Sequence, residues 1–179
     1  MAHVASSLHN VANLAVTMKP LRDNVGIALF NAAGRVLLAR RIEDDGPEII
    51  RKDFEWQMPQ GGVQDGEKPL AAALRELFEE TGVSQAEYLA ETDWLTYLFP
   101  PYFGPPEHRL AKFAGQRQKW FAFRFTGADQ DVNVSVPRNG EMPEFDLWRW
   151  ERLDLLPQLV VDFKRDVYSQ VVRAFTKFA

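Results

Sequence analysis

Gly61-Gly-Val-Gln-Asp-Gly-Glu67, then seven residues, then Arg75-Glu-Leu-Phe-Glu-Glu-Thr-Gly-Val83 is the stretch on which the reading of this chain turns. Its spacing predicts a loop, a helix and a second loop. Pro69 suits a first helical turn and Gly82 suits a C-terminal cap, which bounds a helix over 69–81. Leu70, Ala73, Leu74, Leu77 and Phe78 recur at helical intervals within it. Glu76, Glu79 and Glu80 stand at i, i+3 and i+4 and so share a face, where like charges cost a few tenths of a kcal/mol per pair. A solvated face normally mixes signs, and here only Arg75 is near. A hard divalent cation removes the conflict, because Mg²⁺ takes carboxylates and water and leaves positions open for substrate phosphates. Gly61 and Gly62, ahead of the helix, let the backbone come close to a ligand.

Outward from this stretch, apolar runs at 25–30 and 36–39 flank Asn31-Ala-Ala-Gly34 and predict a β-hairpin. Residues 42–54 are charged and contain Gly46 and Pro47, so they predict a loop. Trp56 to Met58 predicts a short strand that stops at Pro59. Residues 60–68 are rich in glycine and read as loop. Strands are expected at 94–99, at 119–125, where aromatics fall at alternate positions, and at 145–150. Residues 100–115 hold four prolines and two glycines and predict an irregular loop. From Leu159 onward, Val160, Phe163, Val167, Val171, Phe175 and Phe178 follow steps of three and four, which predicts an amphipathic C-terminal helix. Strands with one central and one terminal helix point to a mixed sheet covered by helices.

The composition excludes several alternatives. With 179 residues, the chain fits one domain of about 100–200 residues. It has no cysteine, which removes disulfides, thiol nucleophiles and Cys-ligated zinc or iron–sulfur sites. Twenty-one basic residues against 25 acidic ones give a net charge of −4, so there is no global basic field for nucleic acid. No run reaches the roughly 18 apolar residues of a membrane span. The mild apolar stretch 11–18 has no Lys or Arg before it and so lacks the start of a secretory signal. Residues 1–20 are expected to be a flexible arm, residues 21–179 a single domain, and the location cytoplasmic.

Gly61, Glu67, Arg75, Glu76, Leu77, Glu79, Glu80, Gly82 and Val83 match all nine specified positions of the Nudix box. At average residue usage such a match arises by chance on the order of once in ten million chains of this length. The resemblance implies an α/β fold, the Nudix α/β/α sandwich around a mixed β-sheet, and hydrolysis of nucleoside diphosphates linked to another moiety, with Mg²⁺ or Mn²⁺. It implies Glu76, Glu79 and Glu80 as metal ligands, with Arg75 orienting them. Glu67 and Gly61 fall at the edge of the metal site, Glu67 as a ligand or as the partner of Arg75. Attack at phosphorus by a metal-activated water follows from the same resemblance.

Further segments resemble one branch of that family, the bacterial RNA 5′-pyrophosphohydrolases, also described as dinucleoside polyphosphate hydrolases. They are Arg22–Ile27, Ala39–Arg41, Trp56–Gly62, Gln118–Phe121, Pro143–Asp146, Trp148–Trp150 and Phe163–Tyr168. The resemblance implies 5′-triphosphorylated RNA or a diadenosine polyphosphate as the partner molecule, and it adds Glu144 as a further metal carboxylate or the general base. It makes Phe163 and Lys164 a pair that holds an RNA base, although the spacing of Phe163 with Val160 and Val167 reads equally as core. Arg22, Arg41, Gln60 and Lys119 join the candidate substrate contacts. Between His108 and Ala128 lie five basic residues (Arg109, Lys112, Arg117, Lys119, Arg124) and no acid, a candidate phosphate track. The stretch 43–54 is longer and more acidic than the family pattern. With the loop 100–115, it is expected to frame the substrate mouth. A Nudix module that only binds nucleotide would be expected to lose box glutamates, and none is missing here.

Overall fold

The computed structural model describes residues 19–42, 46–136, 138, 140 and 142–179. The expected arm at 1–20 and the apolar stretch 11–18 fall almost wholly outside these residues. Seven strands form one sheet: β1 (Leu21–Phe30), β2 (Val36–Arg41), β3 (Trp56–Gln57), β4 (Gln60–Gly62), β5 (Ala86–Leu98), β6 (Gly115–Phe125) and β7 (Phe145–Glu151). The main order is β3-β2-β1-β6-β5, with β4 on β1 and β7 on β2. The β1–β6 pair is parallel and the other pairings are antiparallel, so the sheet is mixed. The hairpin of β1 and β2 forms where the apolar runs predict it.

Side-chain alternation divides the core into two layers. Val25, Ile27, Leu29, Phe121 and Phe123 face helix α1 (Pro69–Thr81), which buries Ala72, Ala73 and Leu77 against them. Ala28, Phe30, Trp120 and Ala122 face the C-terminal elements, where Val167, Tyr168, Val171 and Phe175 of α3 (Arg165–Phe175) close the other side. Helices on both faces of a mixed sheet make the α/β/α sandwich.

Helix α1 has the expected bounds. Pro69 lies in its first turn, and Gly82 caps it at φ 75°, donating its N–H to the Phe78 carbonyl. Its buried stripe differs from the expected one. Leu70, Leu74 and Phe78 are about 40–50% exposed. The helix is rolled so that Glu76 and Glu80, rather than these apolar residues, turn inward.

Four other elements also differ from expectation. Residues 60–62 form strand β4, held on β1 by the pairs Asn24↔Gly62, Val25↔Gly61 and Gly26↔Gln60. Strand β5 begins eight residues before Trp94, and β6 begins at Gly115. The C-terminal helix is interrupted. A turn of helix α2 (Leu156–Leu159) is followed by Val160 in extended geometry, bridged to Glu55, then a 3₁₀ turn at Asp162–Lys164 and α3. Pro157 starts the short helix. The bridge to Glu55 satisfies backbone groups that a continuous helix would have paired internally.

Candidate active site

Arg75 is the centre of the carboxylate cluster on α1. Its Nε and Nη2 donate to Glu67 Oε1 and Oε2 at 2.8 and 2.9 Å. Its Nη1 donates to Glu76 Oε1 at 2.7 Å and Glu79 Oε2 at 3.1 Å, and its Nη2 also reaches the Gly62 carbonyl at 2.8 Å. One planar guanidinium thus ties three glutamates to the strand that precedes the helix. Hydrogen bonds from Arg75 hold Glu67 below the usual carboxylate range. Gly61 lies directly against the Glu76 carboxyl, and a Cβ there would overlap it. Glu80 does not reach Arg75. Its Oε2 accepts the backbone N–H of Gln60 at 3.0 Å.

These groups open into a cavity of about 410 Å³. Glu76, Glu79, Glu80 and Glu144 line it, and Arg22 and Arg109 enter the same space. Glu144 precedes β7 and accepts from Arg109 Nη2 at 3.0 Å. Burial raises the Glu76 pKa, and the charges of Glu79 and Glu144 add to that rise, while Arg75 opposes it. Burial, with repulsion from Glu144 and Glu76, pushes Glu80 well above its ordinary value. Arg22 is lowered by burial and by the nearby Arg109. The cavity therefore carries carboxylates that repel one another beside the guanidinium groups of Arg22 and Arg109, the latter paired with Glu144.

Of the remaining sequence candidates, Gln60 and Gly61 line the cavity, and Glu67 lies behind Arg75. Lys119 pairs with Glu91 at 2.7 Å on β5, away from the cavity wall. Arg41 donates to the Glu48 carbonyl at 2.8 Å. Phe163 packs in the second core layer, its ring 5.8 Å from that of Tyr97. Lys164 is 1% exposed and holds Glu48 Oε1 and Gln57 Oε1, each at 3.0 Å. The run of basic residues does not form one track. Arg117 is bidentate on Asp23, Arg124 bonds the Asn31 carbonyl, and of the five only Arg109 reaches the cavity.

The NUDIX domain model matches residues 20–171. A curated RNA pyrophosphohydrolase of Rhodopseudomonas palustris is 48% identical over 161 residues, covering 89% of this chain and 94% of that one. Another, from Agrobacterium fabrum, is 46% identical over 157 residues, covering 87% and 92%. The chain belongs to the Nudix family. The solved dihydroneopterin triphosphate pyrophosphohydrolase of Escherichia coli shares the Nudix fold at a TM-score of 0.59 and 18% identity, over 87% of this chain and 99% of that one. As a Nudix hydrolase, the chain needs a divalent metal ion.

The donor set of this Nudix site fits such an ion. It is all oxygen, lies in one cavity, and repels itself when no cation is present, which suits a hard divalent cation. Among the described residues no three acidic side chains already stand as a closed cage. Arg75 draws Glu76 and Glu79 to itself, and burial sets Glu80 apart. When bound, the cation supplies an acidic water at neutral pH and charge relief at phosphorus. The chain's own residues hold the carboxylates through Arg75 and Gln60 and set the guanidinium groups of Arg22 and Arg109 in the same cavity.

The cavity also holds residues outside the motif: Asn24, Glu48, Gln116 and Arg138. For Gln116 a signal exists in the sequence. In Gln116-Arg117-Gln118-Lys119-Trp120 the uncharged members alternate with the charged ones, which puts both glutamines on the face of a large core residue. Glu48 carries no such signal, because it lies in a loop that no periodicity organises.

Proposed function

We propose that this Nudix hydrolase removes pyrophosphate from the 5′-triphosphate end of RNA, with residues 21–179 as one catalytic domain and Mg²⁺ as the working ion. The observation that carries the reading is the sharing of one cavity by Glu76, Glu79, Glu80 and Glu144 with Arg22 and Arg109. Carboxylates serve the cation and guanidiniums serve the phosphates, the division of labour that phosphoanhydride hydrolysis needs. The names of relatives about 45–48% identical over most of their length support RNA as the substrate.

In this reading the oxygen of water bonds to the α-phosphorus and the bridging α–β oxygen leaves with pyrophosphate. The transcript keeps a 5′-monophosphate, and the water's proton is taken up by a site carboxylate. Glu76, Glu79 and Glu80 act as metal ligands. Glu144 is free to join them, or to take the proton, once Arg109 turns to a phosphate. Arg22, in the same cavity, meets the phosphate chain together with Arg109. An enzyme acting on transcripts would work in the cytoplasm.

The test is a parallel Mg²⁺ assay on a short 5′-triphosphate RNA and on diadenosine tetraphosphate, with products identified and kcat/KM measured for each. Release of pyrophosphate from RNA with the higher kcat/KM is the expected result. Preference for the dinucleotide would overturn RNA as the substrate while leaving the phosphoanhydride chemistry in place.

A further inference from the structure

Strand β6 carries Gln116, Gln118 and Trp120 at alternate positions, all on one face and all buried. Their parallel partners on β1 are Arg22, Asn24 and Gly26. Gly26 has no side chain, and the Trp120 indole lies flat over it.

An indole N–H can only donate. Trp120 Nε1 stands 3.2 Å from the Gln118 amide, so the atom of Gln118 that faces it is the oxygen, Oε1. The other end of that amide is then a donor. Gln118 Nε2 lies 2.8 Å from Asn24 Oδ1 and 3.2 Å from both Gln60 Oε1 and Gln116 Oε1. Two N–H groups are shared among three oxygens, the shortest contact being that to Asn24. For each neighbour the reverse orientation would set two NH₂ groups face to face, so its oxygen turns toward Gln118 and its NH₂ group away. Gln60 gives an independent check. Its Nε2 faces Glu48 Oε1 at 3.5 Å, and an ionised carboxylate can only accept. For Gln116 nothing receives the NH₂ group, because its Nε2 is buried and has no hydrogen-bond partner. Asn24 and Gln116 line the cavity, whereas Gln118 does not.

We propose that Gln118, oriented by Trp120, is a positioning residue that makes the cavity floor donor-only, and that Gln116 Nε2 is the donor it delivers to a phosphoryl oxygen of the substrate. This rests on the reading of the cavity as a polyphosphate site. A buried, unpaired N–H is costly, and an acceptor on the ligand recovers that cost. Phosphate is the acceptor that fits, because the register neighbour of Gln116 is Arg22, whose guanidinium enters the same cavity. A neutral amide adds a directional contact there without adding charge beside the metal carboxylates.

The experiment uses the full chain and two readouts: calorimetric binding of inorganic tripolyphosphate in Ca²⁺, and kcat and KM on 5′-triphosphate RNA in Mg²⁺. Gln116→Met removes the donor at similar length. Gln118→Glu keeps an oxygen for Trp120 but an ionised carboxylate cannot donate, so Asn24 and Gln116 turn their NH₂ groups inward, and the floor there presents oxygens, while Gln60 stays fixed by Glu48.

Each single variant is expected to weaken tripolyphosphate binding by about tenfold and to raise KM similarly, with kcat within about twofold. The double variant is expected to be no weaker than Gln118→Glu alone, because the two residues act as one unit. If the buried charge at 118 prevents folding, Gln116→Glu replaces it, adding an acceptor on the cavity side, and is expected to bind more weakly than Gln116→Met. Binding within twofold of wild type in Gln116→Met, or fully additive losses in the double variant, would overturn the proposal. If wild type leaves triphosphate RNA intact while Gln116→Met still weakens tripolyphosphate, the RNA reading falls and the relay stands.

Discussion

Glu48 Oε1 and Lys164 Nζ lie 3.0 Å apart in the interior, and both side chains are almost wholly removed from solvent. The charge of Arg41 also acts on the pair. Burial alone would raise the Glu48 pKa, but Lys164, Arg41 and the Tyr97 hydroxyl outweigh it and hold the carboxyl at about 2. Burial lowers the Lys164 pKa and Arg41 adds to the effect, with Glu48 offsetting only part. Burial sets the direction for Lys164, and the neighbouring cations set it for Glu48. Glu48→Ala leaves the buried Lys164 ammonium without its carboxylate partner and is expected to cost about 3–5 kcal/mol in urea unfolding. Because the folded pKa is depressed, the contribution of Glu48 is complete above the ordinary value of 4.5 and is lost as pH falls toward about 2. Wild type is therefore expected to lose stability more steeply than Glu48→Gln over that window. Parallel stability curves for the two proteins would remove Glu48 from the account.

Glu79 meets Arg75 through one hydrogen bond and otherwise faces the cavity. Glu79→Gln keeps the shape and removes a charge from a cluster that repels itself. Turnover is expected to fall by more than about a hundredfold, since losing a metal ligand costs at least what losing a supporting residue does. The metal-free melting temperature is expected to hold or rise. Both are read from a Mg²⁺ turnover assay and a thermal melt in EDTA. Near-normal turnover would sink the assignment of Glu79 as a metal ligand.

Glu80 gives a pH signature with the opposite sign to Glu48. Burial, Glu144 and Glu76 raise its folded pKa above its unfolded one. Its contribution to stability is present while it is protonated and is lost as pH rises from the ordinary glutamate range through the raised value. In EDTA, wild type is expected to melt progressively below Glu80→Gln as pH increases across that window. Saturating Mg²⁺ is expected to reverse the order, because only wild type gains the ligand. Melting curves against pH, with and without the ion, decide it, and a pH-independent gap in EDTA would contradict the cause given for the shift.

Helix α1, the β1–β2 hairpin and the glutamate set were legible because each rests on local spacing: a proline, a glycine cap and carboxylates three and four apart. The roll of α1 was not legible. Leu70, Leu74 and Phe78 satisfy the same periodicity as Ala73 and Leu77, and only the sheet decides which stripe it covers. The break at Val160 was hidden for a similar reason. Its apolar positions continue the helical count, while the pairing with Glu55 that interrupts it is more than 100 residues away in sequence. The resemblance implies that Lys164, with Phe163, holds an RNA base; its burial on Glu48 was not legible, because Glu48 comes from an unpatterned loop. The amides under the cavity depend on three strands, β1, β4 and β6, meeting, which no local pattern records.

Arg109 and Glu144 join the two sides of the cavity mouth at 3.0 Å, with side chains 58% and 40% exposed. A pair this exposed contributes about 0–1 kcal/mol to stability, so its weight lies in what each partner can do when released. In this pair Arg109 covers the carboxylate proposed for the cation, and Glu144 occupies a guanidinium proposed for a phosphate. Arg109→Ala is expected to leave the melting temperature within about 2 °C, since exposed pairs contribute little. It is expected to lower the Mg²⁺ concentration giving half-maximal rate by several-fold, because Glu144 then meets the ion without a competitor. It is also expected to raise KM for triphosphate RNA and to flatten its dependence on salt, as loss of a phosphate contact does. Magnesium titrations at fixed RNA, paired with KM at two ionic strengths, separate these effects. A rise in the Mg²⁺ requirement would mean that Arg109 supports Glu144 rather than competing for it.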